Sequence, residues 1–114
     1  MSTRIQPIGK TTVLSPAAAA TANVANIATA TNTFHFLNTS SNVFAYVGVF
    51  STYAEAIAMD HPQVGADATG LPLAPGESIN IVGNFGINPN PGNVFVAAIT
   101  NVGTTNVFAT PITV

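Results

Sequence analysis

Apolar residues along this 114-residue chain recur mainly at every second position, the spacing of a β-strand whose side chains alternate between two faces. The clearest case is Thr33–Leu37 and Val43–Phe50, two β-branched and aromatic runs flanking Asn38-Thr39-Ser40-Ser41-Asn42. The pattern predicts a hairpin. Phe34 and Phe36 share one face and His35 and Leu37 the other. The second run is apolar on both faces, Phe44, Tyr46, Gly48 and Phe50 opposing Val43, Ala45, Val47 and Val49. That predicts a central strand or one covered by a partner. Ser78–Val82 alternates cleanly behind a Pro75-Gly76 turn, and Val94–Thr100 with Asn106–Val114 flanks a second expected hairpin turn at 101–105.

Elsewhere the pattern is weaker. Residues 1–14, with Ile5, Ile8, Val13 and Leu14 spaced by polar residues, Pro7 and Gly9, read as an extended N-terminal arm able to supply an edge strand. Ser15 to Asn32 is rich in Ala, Thr and Asn and reads as a surface turn and then a weak strand. Tyr53–Asp60 is the best helical candidate, stopped by His61-Pro62, although two turns fit a strand continuation as well. Residues 63–70 and 83–93 read as loops. Asn-Val-Phe recurs at 42–44, 93–95 and 106–108, each time opening a strand after a turn, at spacings too unequal for a solenoid. Six to eight short strands with Gly, Pro and Asn punctuation predict an all-β protein. The expected architecture is a compact antiparallel β-sandwich over residues 15–114, Ig-like or jelly-roll-like, with long loops behind the arm.

Composition then narrows the function. The chain is 47% apolar, ordinary for a folded domain, yet only 5% charged against about 25% in a typical one. Fifteen Thr, twelve Asn and six Ser fill the gap. Disorder is not expected, since it needs low hydrophobicity with high charge. Every apolar run is interrupted before the roughly 18 residues of a membrane-spanning helix. The residues behind Lys10 are too polar for a secretory signal, so the mature chain is expected to begin near Met1. Without Cys there is no disulfide, thiolate zinc site or thiol nucleophile. Residues 11–114 hold no Lys or Arg, which removes the basic stripe that nucleic-acid binding needs. A net charge of −2 gives copies little mutual repulsion, a property suited to a protein that spends its life assembled.

The titratable inventory is thin: Glu55, Asp60, Asp67, Glu77, His35, His61, Arg4, Lys10 and two Tyr. Asp60-His61 could pair with His35 or Asp67 at a metal, but no ligand spacing supports it, and a loop terminus explains them better. His35 lacks an orienting carboxylate in the sequence and reads as a structural or interface residue. Glu55 and Asp60, five apart, do not quite share a helix face. Gly83-Asn84-Phe85-Gly86 has neither the helix nor the Lys of a phosphate loop. Catalytic, cofactor and metal sites are therefore expected to be absent. Tyr46, Tyr53 and Phe85 on a Thr/Asn-rich surface suit sugar stacking. Arg4 and Lys10 fit either a solvated terminus or an arm that adds a strand to an acidic partner surface. The candidate partner-contacting residues are Arg4, Ile5, Ile8 and Lys10 in the arm and Tyr53, Phe85 and Ile87 in the body.

Three strings, Asn42-Val-Phe-Ala-Tyr-Val-Gly48, Gly70-Leu-Pro-Leu-Ala-Pro-Gly-Glu-Ser-Ile-Asn-Ile81 and Asn93 to Phe108, together resemble small all-β virion proteins of tailed bacteriophages. The resemblance spans about half of the chain and departs at 51–69 and 83–93, where this chain is longer. It implies a non-enzymatic capsid decoration (cement) protein, made in the host cytoplasm and placed on the capsid surface. Its partners would be the major capsid protein and copies of itself, in a homo-oligomer. The alternative is a head-tail or tail-fibre component that recognises a receptor or glycan through loops 60–70 and 83–93.

Overall fold

Where the sequence alternates, the chain is extended and paired. The computed structural model describes residues 6–7, 9–17, 21–27, 33–60, 65, 69–83 and 94–113. Among them are β1 (Gln6–Pro7), β2 (Thr12–Leu14), β3 (Asn23–Ile27), β4 (Thr33–Asn38), β5 (Ala45–Phe50), α1 (Tyr53–Ile57), β6 (Leu71–Leu73), β7 (Ser78–Val82), β8 (Val94–Ile99) and β9 (Val107–Thr113). All pairings are antiparallel. One sheet runs β1-β9-β4-β7, with β2 also on β9, and the other runs β3-β8-β5-β6.

The chain changes sheet at nearly every step. From β2 to β9 only β5 and β6 are consecutive strands in the same sheet. Eight strands wound this way across two layers form the jelly-roll type of β-sandwich.

Both expected hairpins are absent, because β4 and β5 lie in different sheets and so do β8 and β9. Segments 39–44 and 100–106 arch across one end of the sandwich. The Pro75-Gly76 turn does form, with Gly76 at φ +74° and the Glu77 N–H donating to Ala74 O at 3.0 Å, but it too bridges the sheets. A polar turn between two alternating runs is equally compatible with a hairpin and an arch. Burial decides: Phe34, Phe36, Ala45 and Val47 are fully buried in one interior core with Leu14, Leu73, Val96, Val107 and Ala109. Facing sheets bury those faces against each other, worth about 1.5–3 kcal/mol per large side chain.

The N-terminal segment lies along β9 as two short strands. β2 pairs with residues 107–109 and β1 with 112–113. The break falls opposite Pro111, which has no N–H for the ladder and whose Cγ would lie 2.8 Å from a Cβ at Gly9. Leu14, 1% exposed, anchors the segment in the core.

The two-faced apolar pattern of residues 43–50 has an internal explanation. β5 is central in its sheet, and its outer face is covered by the chain itself. Ala56 of α1 and Met59 just beyond it pack with Ala22, Ala97 and Ile99, bordered by Tyr46, Phe50 and Phe95. Thr52 caps α1 by accepting from the Glu55 N–H at 3.2 Å, and Glu55 Oε1 accepts from the Thr52 hydroxyl at 3.0 Å. Gly70 closes the segment by donating its N–H to Asp60 O at 3.0 Å.

Candidate functional site

Three places in the fold carry unpaired or organised chemistry. The first is the outer face of the β2-β9-β4-β7 sheet, which follows directly from alternation. Because Phe34, Phe36, Ile79, Ile81, Val107 and Ala109 point into the core, their neighbours point out. Strand register aligns Val13, Phe108 and Leu37 in one row. The next row is polar: Thr110 lies beside His35 and His35 beside Asn80. Hydrogen bonds of 2.7 Å link Thr11 to Thr110 and His35 Nδ1 to Asn80 Oδ1. Val13 is 54% and Val82 66% exposed. No Lys, Arg, Asp or Glu stands among the outward residues of β2, β4, β7 and β9.

The second place is Asn38, fully buried at the end of β4 where the arches meet. Its Nδ2 donates to Val43 O at 2.8 Å, Leu73 O at 3.1 Å and Ala74 O at 3.3 Å. Its Oδ1 accepts from the Ser40 N–H at 3.1 Å and the Thr105 hydroxyl at 2.8 Å. One amide thus ties all three arches, 39–44, 74–77 and 100–106. In the sequence Asn38 is the first residue of the expected hairpin turn, and without the topology nothing marks it as a hub.

The third place is the surface of those arches. A depression of about 440 Å³ lies among Ser15, Thr39, Ser40, Thr104, Thr105 and Asn106. A second, of about 430 Å³, includes Asn42, Phe44, Tyr46, Asn101 and Val102. Both flanking arches are held internally. Ser40 Oγ accepts from the N–H groups of Asn42 and Val43 at 3.1 and 2.9 Å. The Thr100 hydroxyl donates to Gly103 O at 2.5 Å, with Gly103 at φ +79°. Phe44 is 48% exposed.

The predicted candidates fare unevenly. Arg4, Ile5, Ile8, Phe85 and Ile87 lie outside the described residues, as do His61 and Asp67 and most of the loops 60–70 and 83–93. Lys10 is exposed at the break between β1 and β2. Tyr53 is exposed on α1, over the other sheet, its ring edge-on to Phe95 at 6.1 Å and 75°. Of the acids, Glu55 is taken up by the α1 cap, and Glu77 Oε1 accepts from the Ala74 N–H at 3.0 Å. No group of three His, Cys, Asp or Glu side chains is placed to hold a metal among the described residues. No helix of these residues is long and apolar enough to cross a membrane.

Fold and surface define an all-β sandwich whose chemistry is neutral. No family model matches the chain, and neither a curated protein nor a solved structure is significantly similar to it.

Proposed function

We propose that this protein is a non-enzymatic structural component of a virion, a decoration protein that binds the major capsid protein and copies of itself on the capsid surface. The observation that carries the reading is an asymmetry between the two sheets. One outer face is partly covered by α1 and Met59, with Tyr53 exposed above it, whereas the other leaves Val13, Leu37 and Phe108 in register on a surface without Lys, Arg, Asp or Glu. A face of this kind adheres by apolar burial and neutral hydrogen bonds. The partner is inferred from the resemblance of the three sequence strings to phage virion proteins. Jelly rolls recur in viral shells, which supports the reading by analogy of fold.

Shells assembled without the protein provide the test. The wild-type chain is expected to co-sediment with them and to raise their tolerance of heat and osmotic shock. Phe108→Glu, at a position 37% exposed, is expected to abolish attachment while the isolated protein keeps its thermal midpoint. If the wild type does not bind, the decoration reading is wrong. If Phe108→Glu and Val13→Glu bind normally, the face has been misassigned.

A further inference from the structure

We infer that the arch end of the sandwich carries a binding site for an uncharged saccharide, centred on the depression formed by Phe44, Asn42, Asn101 and Val102. Its volume of about 430 Å³ falls within the roughly 300–1,000 Å³ of small-ligand sites. Its chemistry is a half-exposed aromatic ring next to two exposed side-chain amides. An aromatic face accepts the C–H face of a pyranose. Asn42, whose Oδ1 already accepts from the Ser40 hydroxyl at 3.2 Å, offers its N–H donors, and the Asn101 amide adds donors and an acceptor. The neighbouring depression of about 440 Å³ adds Ser and Thr hydroxyls, so a longer chain of sugars would meet more of the same chemistry.

Charge selects among ligand classes. Among the described residues none that lines either depression is ionised, and the chain's two cations, Arg4 and Lys10, both lie in the first ten residues. A nucleotide, a sulfated glycan or a sialylated glycan would bring an anion to a site with no cation to meet it. A fatty ligand would need an enclosed apolar cavity, and this depression is open, with the amides of Asn42 and Asn101 beside its apolar side chains. The site is also rigid before any ligand arrives, because Ser40, Thr100 and Asn38 hold both arches. Rigidity lowers the ordering entropy lost on binding.

This site is distinct from the proposed capsid-binding face of Val13, Leu37 and Phe108. The test is a printed array of galactose, glucose and N-acetylglucosamine oligomers with sialylated and sulfated counterparts, probed with the full chain displayed in many copies on beads. Neutral oligomers are expected to bind, and binding should survive about 1 M NaCl, where the Debye length is about 3 Å. Phe44→Ala and Asn101→Ala should each weaken binding about tenfold, the loss of one stacking or bidentate contact. Val82→Ala, on the other sheet, should leave it unchanged. Absence of any neutral glycan bound by the wild type overturns the proposal, as does preference for the acidic glycans. Should Phe44→Ala lower the thermal midpoint, Asn101→Ala decides: full binding by that exposed-loop variant overturns the site.

Discussion

Replacing Asn38 by Ala removes the amide that holds three arches together, and the expected loss is large for one small buried residue. Two of its partners sit in buried bonds, Leu73 O and the Thr105 hydroxyl, and the latter keeps only the longer contact to Asn106 O at 3.4 Å. Each buried polar group left without a partner costs about 1–3 kcal/mol. Val43 O, Ala74 O and the Ser40 N–H are part-buried and can turn to water. Their bonds are worth about 0.5–1.5 kcal/mol each, and water returns most of that. A net loss of about 3–5 kcal/mol follows, out of roughly 6–17 kcal/mol for a domain of this length. The thermal midpoint should fall by roughly 12–20 °C at about 4 °C per kcal/mol. Asn38→Asp should be no better, because a carboxylate cannot donate to the three carbonyls that Nδ2 serves. Urea unfolding of Asn38→Ala beside Asn101→Ala, which lies exposed in the same arch region, gives the comparison. A difference under about 1 kcal/mol between them would refute the view that this amide, rather than apolar burial alone, closes the end of the sandwich.

Other substitutions test the remaining joints. Gly70→Ala would put a Cβ 2.6 Å from Asp60 O and 2.9 Å from Tyr46 Cβ, so it should destabilise by about 1–3 kcal/mol and raise amide exchange across 51–60. Met59→Ala, at a position 1% exposed, should cost about 2–5 kcal/mol by opening a cavity over Ala97, measured by urea unfolding. Thr52→Ala should cost about 1 kcal/mol and speed exchange in α1, leaving the sheets protected.

The strands were legible because alternation is a local property. Phe34 and Phe36 against His35 and Leu37, and Ile79 and Ile81 against Ser78, Asn80 and Val82, sit on the faces their spacing assigns. The partner of each strand was not legible. Asn38–Asn42 and Asn101–Thr105 contain good turn residues, and turn residues close a hairpin and an arch alike. The choice between them depends on which faces meet in the core, a contact between residues far apart in the chain. The functional features follow the same division. Val13, Leu37 and Phe108 were each visible as strand residues, but they become one surface only through the β2-β9-β4 register. Phe44, which alternation places on a strand face, stands just before β5 on the rim of a depression.

Two-faced apolar strands argue that the body is poorly protected against association, and the fold answers part of that argument by covering the outer face of β5 internally. With α1 over β5 and β8, exposed apolar side chains remain at Tyr53 and Leu71 and, at the arch end, Phe44 and Val102, and a row in strand register is left on the face of Val13, Leu37 and Phe108. The sparse charge narrows it further, since Glu55 and Glu77 are engaged in a cap and a turn. Contacts through this face or through the arch-end depression would be made without ion pairs. Contacts through Arg4 and Lys10 to an acidic partner would be made with them. Ionic strength therefore separates the two modes: apolar and neutral contacts persist or tighten as salt rises, whereas an electrostatic strap weakens as the Debye length shortens from about 10 Å at 0.1 M to about 3 Å at 1 M. Capsid attachment that vanishes over this range would assign the adhesion to the N-terminal arm and remove the sheet face from the mechanism.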